Sequence, residues 1–438
     1  MRKHSFAWTL AAAWILFMGM MAVNWLLLWR AGETDLATIA QRQVASQGMA
    51  NLLSVPFFDY KRALYLIRKP EITALGSSRS LQIRQYFFTR PFYNMGGGSK
   101  ELDDAFAMAD ELLLEHPPKL IVQALDIWTF WSDRPVLPSQ AQRPRGLRVA
   151  RGSPINPLLL PTSMLFNGTL TWPAAARILA GAPHQPLPTF GIHALVNGSG
   201  FADDGSSHYL GRLEEALLDG PDQRFRGTLE KLGQPGSQLL PASSPHVNHR
   251  EIRLLRMFID EMAAHHITVM PVLVPLPPLT YDRALAMPEH AYIDQARAVL
   301  AREIPELLDL LDGRRAGSNN CEFYDGTHGG EITYARIALK IAATRPDLAH
   351  FIAVERLQQV VERYAGFSTA PIDSVGLAFR DRFLAYHRMT RCRESLPGIR
   401  HLTQPAPPDS PPAPGSPSGS AGNSPAPPRV GRPPVRSR

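Results

Sequence analysis

The run Phe6–Trp29, FAWTLAAAWILFMGMMAVNWLLLW, constrains this 438-residue chain more than any other stretch. Its 24 residues carry no charge, and about 20 apolar residues are enough for a helix to span the hydrocarbon core of a bilayer. A cleaved signal peptide is the alternative. Its apolar stretch is shorter, about 7–15 residues, and ends at a small-residue cleavage site; here the run passes into RAGETD without a good A-x-A. Arg2 and Lys3 precede it while Glu33 and Asp35 follow, and basic flanks stay on the cytoplasmic side. The sequence therefore predicts an uncleaved anchor over residues 1–30, single-pass in the cytoplasmic (inner) membrane, with the body in the periplasm.

The formal charge of +7 invites a nucleic-acid reading, but its distribution argues against one. Setting aside Arg2, Lys3 and the net three positive charges after Thr403 leaves +2 for everything between. A body so close to neutral is a poor trap for phosphates. From Thr403 the chain is a Pro/Gly/Ser tract, which cannot bury enough apolar surface to fold; residues 403–438 are expected to be disordered. Cys321 and Cys392 are the two cysteines. In an exported body they form either one disulfide or two free buried thiols.

Between anchor and tail the pattern is that of an α/β domain. Leu36–Leu66 is mixed and mostly helix-compatible, and residues 31–66 are expected as a stalk packing onto the domain. Ile72–Leu75 is a short apolar strand ending at Gly76, RSLQIRQYFF suits a helix, and PFYNMGGGS breaks it. Phe106, Ala109, Leu112 and Leu113 recur at helical spacing, and PPKLIVQALDIWTFW reads as a buried strand. Alternation of strands and helices predicts a parallel sheet with crossover helices. The first part of that domain is placed at 67–131. Residues 132–247 interrupt it as a Pro/Gly/Ser-rich insertion, and the rhythm resumes over 248–402. There NHREIRLLRMFIDEMAAHH makes an amphipathic helix, ITVMPVLVPL a strand, HAYIDQARAVLAREIPELLDLL a helix, and CEFYDGTHGGEITYARIALKIA a short strand, a loop and a helix.

Four fragments then fall at carboxyl ends of strands, where open α/β sheets bind ligands: LGSSRS, NMGGG, ALDIW and DGTH. A serine hydroxyl needs a general base, usually histidine, and a carboxylate to orient the imidazole. Asp325 and His328, three apart in one loop, can both face Ser78. Glycine-rich turns supply the N–H groups that a tetrahedral oxyanion requires, which points to Gly96 and the Ser78 amide. Arg79, Asn94 and Asp126 are further candidates for substrate or oxyanion contact. The alternatives are structural: Ser78 as a turn serine, Asp325 as a helix cap, Arg79 as a solvated or ion-paired first-turn residue rather than a substrate clamp. His265–His266 and His246/His249 lack a convincing ligand set, so no metal and no cofactor are expected.

This constellation resembles the SGNH (GDSL-like) hydrolase superfamily. Gly76–Arg79, GSSR, stands where that family has its nucleophile block, with Ser78 as nucleophile and Ser77 in the family's Asp position. Asn94–Gly96, NMG, is similar to the oxyanion glycine block, and Asp325–His328, DGTH, to the closing D-x-x-H. The resemblance covers roughly 72–131 and 248–343. It implies a flavodoxin-like three-layer α/β/α fold and catalysis by Ser78, Asp325 and His328. With the anchor, it is closest to the membrane-anchored branch that includes teichoic-acid D-alanyl transfer and alginate O-acetylation proteins. That branch implies an acyltransferase or esterase acting on acyl groups of a cell-envelope polysaccharide, with a multi-spanning membrane acyltransferase as partner. One position departs: the family's third block has an asparagine that donates to the oxyanion, and here Asp126 stands there. A carboxylate only accepts hydrogen bonds when ionised, so Asp126 is protonated, pairs with Arg79, or serves another role such as positioning an acceptor hydroxyl. The competing expectation is a non-catalytic anchored module that binds glycan or a partner on a degenerate scaffold.

Overall fold

The computed structural model describes residues 2–33, 35–99, 101–113, 115–132, 157–181, 186–210, 223–232 and 246–389. Cys392 and the 403–438 tail lie outside the described residues, and with them the disulfide and the expected disorder; Cys321 is buried.

Five parallel strands form the central sheet: β1 (Ile72–Leu75), β2 (Phe92–Asn94), β3 (Leu120–Leu125), β4 (Thr268–Leu273) and β5 (Leu308–Asp309). Their spatial order is β2-β1-β3-β4-β5, which is the flavodoxin-like order of doubly wound sheets. Ile72 is level with Phe92 on one side and Leu120 on the other; Leu120 is level with Thr268, and Val272 with Leu308. Alternate residues of each strand face opposite ways, and the two faces are both buried, as parallel sheets require. Leu75, Ile121, Leu125, Val269 and Leu273 join one apolar cluster; Ile72, Ala74, Val122, Met270 and Val272 join the other.

Among the helices, in chain order, are α1 (Arg2–Arg30), α2 (Leu36–Ser46), α3 (Phe57–Arg68), α4 (Leu102–Leu113), α5 (Leu160–Phe166), α6 (Trp172–Ala180), α7 (His249–Ala264), α8 (Tyr292–Glu303), α9 (Glu331–Thr344) and α10 (Val354–Tyr364); Ile192–Asn197, Gln223–Lys231, Pro278–Leu285 and Arg380–Met389 are helical as well. α2, α3, α4, α7 and α8 cover the first face, α9 and α10 the second. The result is a three-layer α/β/α body. α1 is a helix long and apolar enough to cross a membrane. The segment expected as a stalk belongs to the body, since Phe58, Tyr60, Leu64 and Tyr65 are core residues. The insertion closes at its neck, where Trp131–Ser132 pairs antiparallel with His246–Val247.

Three local expectations are corrected. RSLQIRQYFF forms two 3-10 turns, Ser78–Gln82 and Gln85–Phe87, not an α-helix. The Asn94 side-chain amide takes the Ser80 and Ile83 carbonyls, each at 2.9 Å, and competes for acceptors that a helix would use. PFYN, read as a breaker, is edge strand β2. CEFY adds no strand: Asn319 caps a 3-10 turn at Cys321, and Tyr324 N–H donates to His328 C=O at 2.9 Å, folding the chain back on itself. The last strand of the sheet is instead Leu308–Asp309, inside what the sequence presents as a helix that Pro305 cannot continue.

Candidate active site

β1 ends at Gly76, whose φ of 145° favours glycine; a Cβ there would lie 2.8 Å from the Ala124 carbonyl oxygen. The chain turns sharply into the 3-10 turn with Ser77 at its N-cap, its Oγ accepting from Arg79 N–H at 3.2 Å. That capping bond gives Ser77 a structural job. Ser78 is exposed beside it.

Ser78 Oγ lies 3.1 Å from His328 Nε2. His328 Nδ1 lies 2.9 and 3.0 Å from the two oxygens of Asp325. An ionised carboxylate can only accept, so Nδ1 carries the proton and Nε2 presents its lone pair to the serine hydroxyl. Burial pushes the Asp325 carboxyl up, but its attraction to the protonated form of His328 and the hydrogen bonds from that ring and from the backbone N–H groups of Thr327 and His328 outweigh it. They hold Asp325 well below the usual carboxylate range. Asp325 also accepts from the N–H of Thr327 and of His328, both at 2.8 Å, which fixes the loop it belongs to. The three residues singled out in the sequence are thus brought into one hydrogen-bonded line across 250 positions.

Arg79 is almost fully buried beneath this line. Its Nη1 donates to Asp126 Oδ1 at 2.8 Å, Nε to Thr327 C=O at 2.9 Å, and Nη2 to the Val274 carbonyl at 3.2 Å and to Pro275 C=O. Trp128 lies over the guanidinium, 4.9 Å from ring centroid to Cζ. One side chain therefore ties the Ser78 turn to the ends of β3 and β4 and to the histidine loop. Of the roles open to Asp126, pairing with Arg79 is the one realised.

The expected oxyanion donors fare differently. Gly96 N–H donates to Asn94 Oδ1 at 2.7 Å, and Gly97 N–H to the carbonyls of Gly76 and Ser77. Gly96 is needed for space, because a Cβ would collide with Ser80 Oγ. Asn94 is buried and occupied by these structural bonds. Asp126 is an acceptor already paired. The Ser78 N–H is first in its turn and so has no intrahelical partner; it is the donor that this arrangement leaves for an oxyanion.

Residues the sequence did not flag complete the site. Tyr209, from the insertion, donates its hydroxyl to Ser78 C=O at 2.6 Å and sets its ring edge-on to His328, 5.8 Å between centroids. Thr228, also from the insertion, packs against Gly326 of the histidine loop so closely that a Cβ on that glycine would clash. A cleft of about 690 Å³ opens from Ser78 and His328 toward Trp128, Trp131, Arg250 and Glu251. Nothing in the spacing of these residues marks them in the sequence. Among the described residues there is no cluster of three or more metal-ligating side chains.

Comparison with known proteins brings no relative to this arrangement: no family model, no curated protein and no solved structure matches the chain.

Proposed function

We propose that the protein is a membrane-anchored, extracytoplasmic SGNH-type serine acyltransferase or esterase acting on acyl groups of a cell-envelope polysaccharide. The observation that carries this reading is the Ser78–His328–Asp325 line, at the carboxyl end of β1 and the mouth of an open cleft. In the proposed reaction Ser78 Oγ attacks the acyl carbonyl carbon and its proton passes to His328 Nε2. The Ser78 N–H faces the developing oxyanion. The bond to the leaving oxygen breaks, His328 returns the proton to that oxygen, and an acyl-serine remains. A glycan hydroxyl or water then gives its proton to His328, its oxygen bonds to the acyl carbon, and Ser78 leaves with the proton. A permanent anchor favours transfer over release of free acid, because tethering beside a multi-spanning membrane acyltransferase raises effective concentration.

A second reading has its own support. Asp126 and Gly96, two of the expected oxyanion positions, are occupied by other bonds, as suits a non-catalytic module that binds glycan or a partner. Incubation of the detergent-solubilised protein with an activated acetyl ester, followed by mass spectrometry of the Ser78 peptide, separates the two. An acetyl adduct that disappears on adding a sugar oligomer, with acetylated sugar formed, is the expected result. An unmodified Ser78 at every time point would leave the binding module.

A further inference from the structure

Pro157–Gly181 is a 25-residue stretch of the insertion with Arg177 as its single charge. It folds as the hairpin α5–α6, and the hairpin lies against the end of α1 rather than against the sheet. Leu27, Leu28 and Ala31 of the anchor and its exit share one apolar cluster with Met164, Leu170, Ala175 and Ile178. Asn24, inside the apolar run and 1% exposed, donates to Leu158 C=O at 2.7 Å and to Thr162 Oγ1 at 2.6 Å. At the other end, a Cβ placed on Gly181 would lie 3.7 Å from Arg30 Nη1. The hairpin therefore runs alongside the last turns of α1, a rise of about 9 Å from Asn24 to Arg30 at 1.5 Å per residue.

Its exposed side carries two large apolar side chains among small and polar ones such as Ser163, Asn167 and Thr169. Phe166, at the end of α5, is 89% exposed, and Trp172, at the start of α6, is 74% exposed. Trp25 and Trp29 of α1, stacked on each other at 6.3 Å, are half-exposed nearby in the same helix end. Tryptophan is the side chain that membrane–water interfaces collect, with its ring among the headgroups. The spanning helix Phe6–Arg30 has 25 residues, about 37 Å long against a hydrocarbon core of about 30 Å. Its last turns, where the hairpin sits, thus fall at interfacial depth. The attachment is also stiff: the Glu33 carboxylate just after the helix accepts from the N–H groups of Leu53, Ser54 and Ile192 at 3.0, 2.9 and 2.6 Å.

We propose that α5–α6 is a second membrane foot, seated in the lipid headgroup region beside α1, so that bilayer lipid covers Phe166 and Trp172. Together with the Glu33 clamp it makes the body ride at fixed height and tilt over the membrane instead of swinging on a tether. The proposal rests on the membrane-spanning reading of α1 and is independent of the chemistry at Ser78.

The test places the photoreactive residue benzoylphenylalanine at one site at a time in the full-length protein, reconstituted alone in phosphatidylethanolamine/phosphatidylglycerol vesicles. The sites are Phe166, Trp172, Leu16 in α1 as the anchor control, and Leu377, exposed on the body, as the aqueous control. Illumination and mass spectrometry should give lipid adducts at 16, 166 and 172 and none at 377. Adducts at 16 with 166 and 172 matching 377 would overturn the foot while leaving the anchor. No adduct at 16 would remove the spanning helix and the foot with it. Protein adducts replacing lipid adducts at 166 and 172 in native membranes would also overturn it, in favour of a membrane-protein partner on that surface.

Discussion

Arg79 Nε donates to the main-chain carbonyl of Thr327 at 2.9 Å, so the residue after Ser78 holds the residue before His328. The distance between Ser78 and His328 is thus set from below by a buried guanidinium, whose own charge is met by Asp126. A lysine there would keep the charge but lose the planar fork that reaches Asp126, Thr327, Val274 and Pro275 together. Arg79→Lys should slow serophilic labelling of Ser78 by the order of 10²-fold, the cost of misplacing a reacting group by about 1 Å. Removing the other half, Asp126→Ala, strands a buried charge and should destabilise the fold by about 3–5 kcal/mol, read by urea unfolding. A loss of activity in Arg79→Lys that is confined to KM, with kcat kept, would instead make Arg79 a substrate contact.

Tyr209 gives the insertion a direct hold on the site through Ser78 C=O. Tyr209→Phe deletes one hydrogen bond, worth about 0.5–1.5 kcal/mol, and keeps the ring against His328. The labelling rate should fall by less than about tenfold, and the unfolding free energy by no more than that bond's worth of about 0.5–1.5 kcal/mol. Stopped-flow labelling of both proteins measures it.

Lys61 is fully buried, and burial draws its amine down to about 7, against an opposing pull from Asp204. Its Nζ donates to Asn94 C=O at 2.9 Å and to Gly205 C=O, pinning the insertion to the end of β2. The folded value lies below the ordinary 10.5, so between those two pH values the unfolded chain holds a proton that the folded chain does not. By linkage this residue makes stability rise with pH from about 7 to 10.5. Below that window both states are protonated and it adds no slope. Lys61→Met should flatten the Tm–pH curve of the wild type in this range, whatever it does to the absolute Tm. A slope unchanged by the substitution would show that Lys61 is not the group responsible.

Much of this was legible in the residues, for physical reasons. An uncharged run such as Phe6–Trp29 has few ways to be satisfied, and β1, β3 and β4, buried on both faces, are nearly unbroken apolar runs. Ser78, Asp325 and His328, which the structure brings into one hydrogen-bonded line, stood out because the proposed chemistry needs those types and two of them share one loop. What stayed hidden depends on tertiary context. β2 and β5 have three and two residues, too short for any period to register, and both are strands because a neighbour offers them a ladder. At the 3-10 turn Ser78–Gln82 the Asn94 side chain takes the Ser80 carbonyl and, just past the turn, that of Ile83, a tertiary contact that no local period announces. Tyr209 reaches Ser78 and His328 from the insertion, Arg250 lines the cleft from the first turn of α7, and neither has a local signature. The hairpin Pro157–Gly181 did have one, a near-absence of charge, masked by the prolines and glycines around it.

The central claim is that Ser78 is a nucleophile activated by His328. Its most direct measurement is the labelling of full-length protein by a fluorescent fluorophosphonate, comparing wild type with Ser78→Ala, Ser77→Ala and His328→Ala. The account predicts labelling of wild type and of Ser77→Ala, and none above background in Ser78→Ala or His328→Ala. Undiminished labelling of Ser78→Ala, or no labelling of folded wild type, would contradict it.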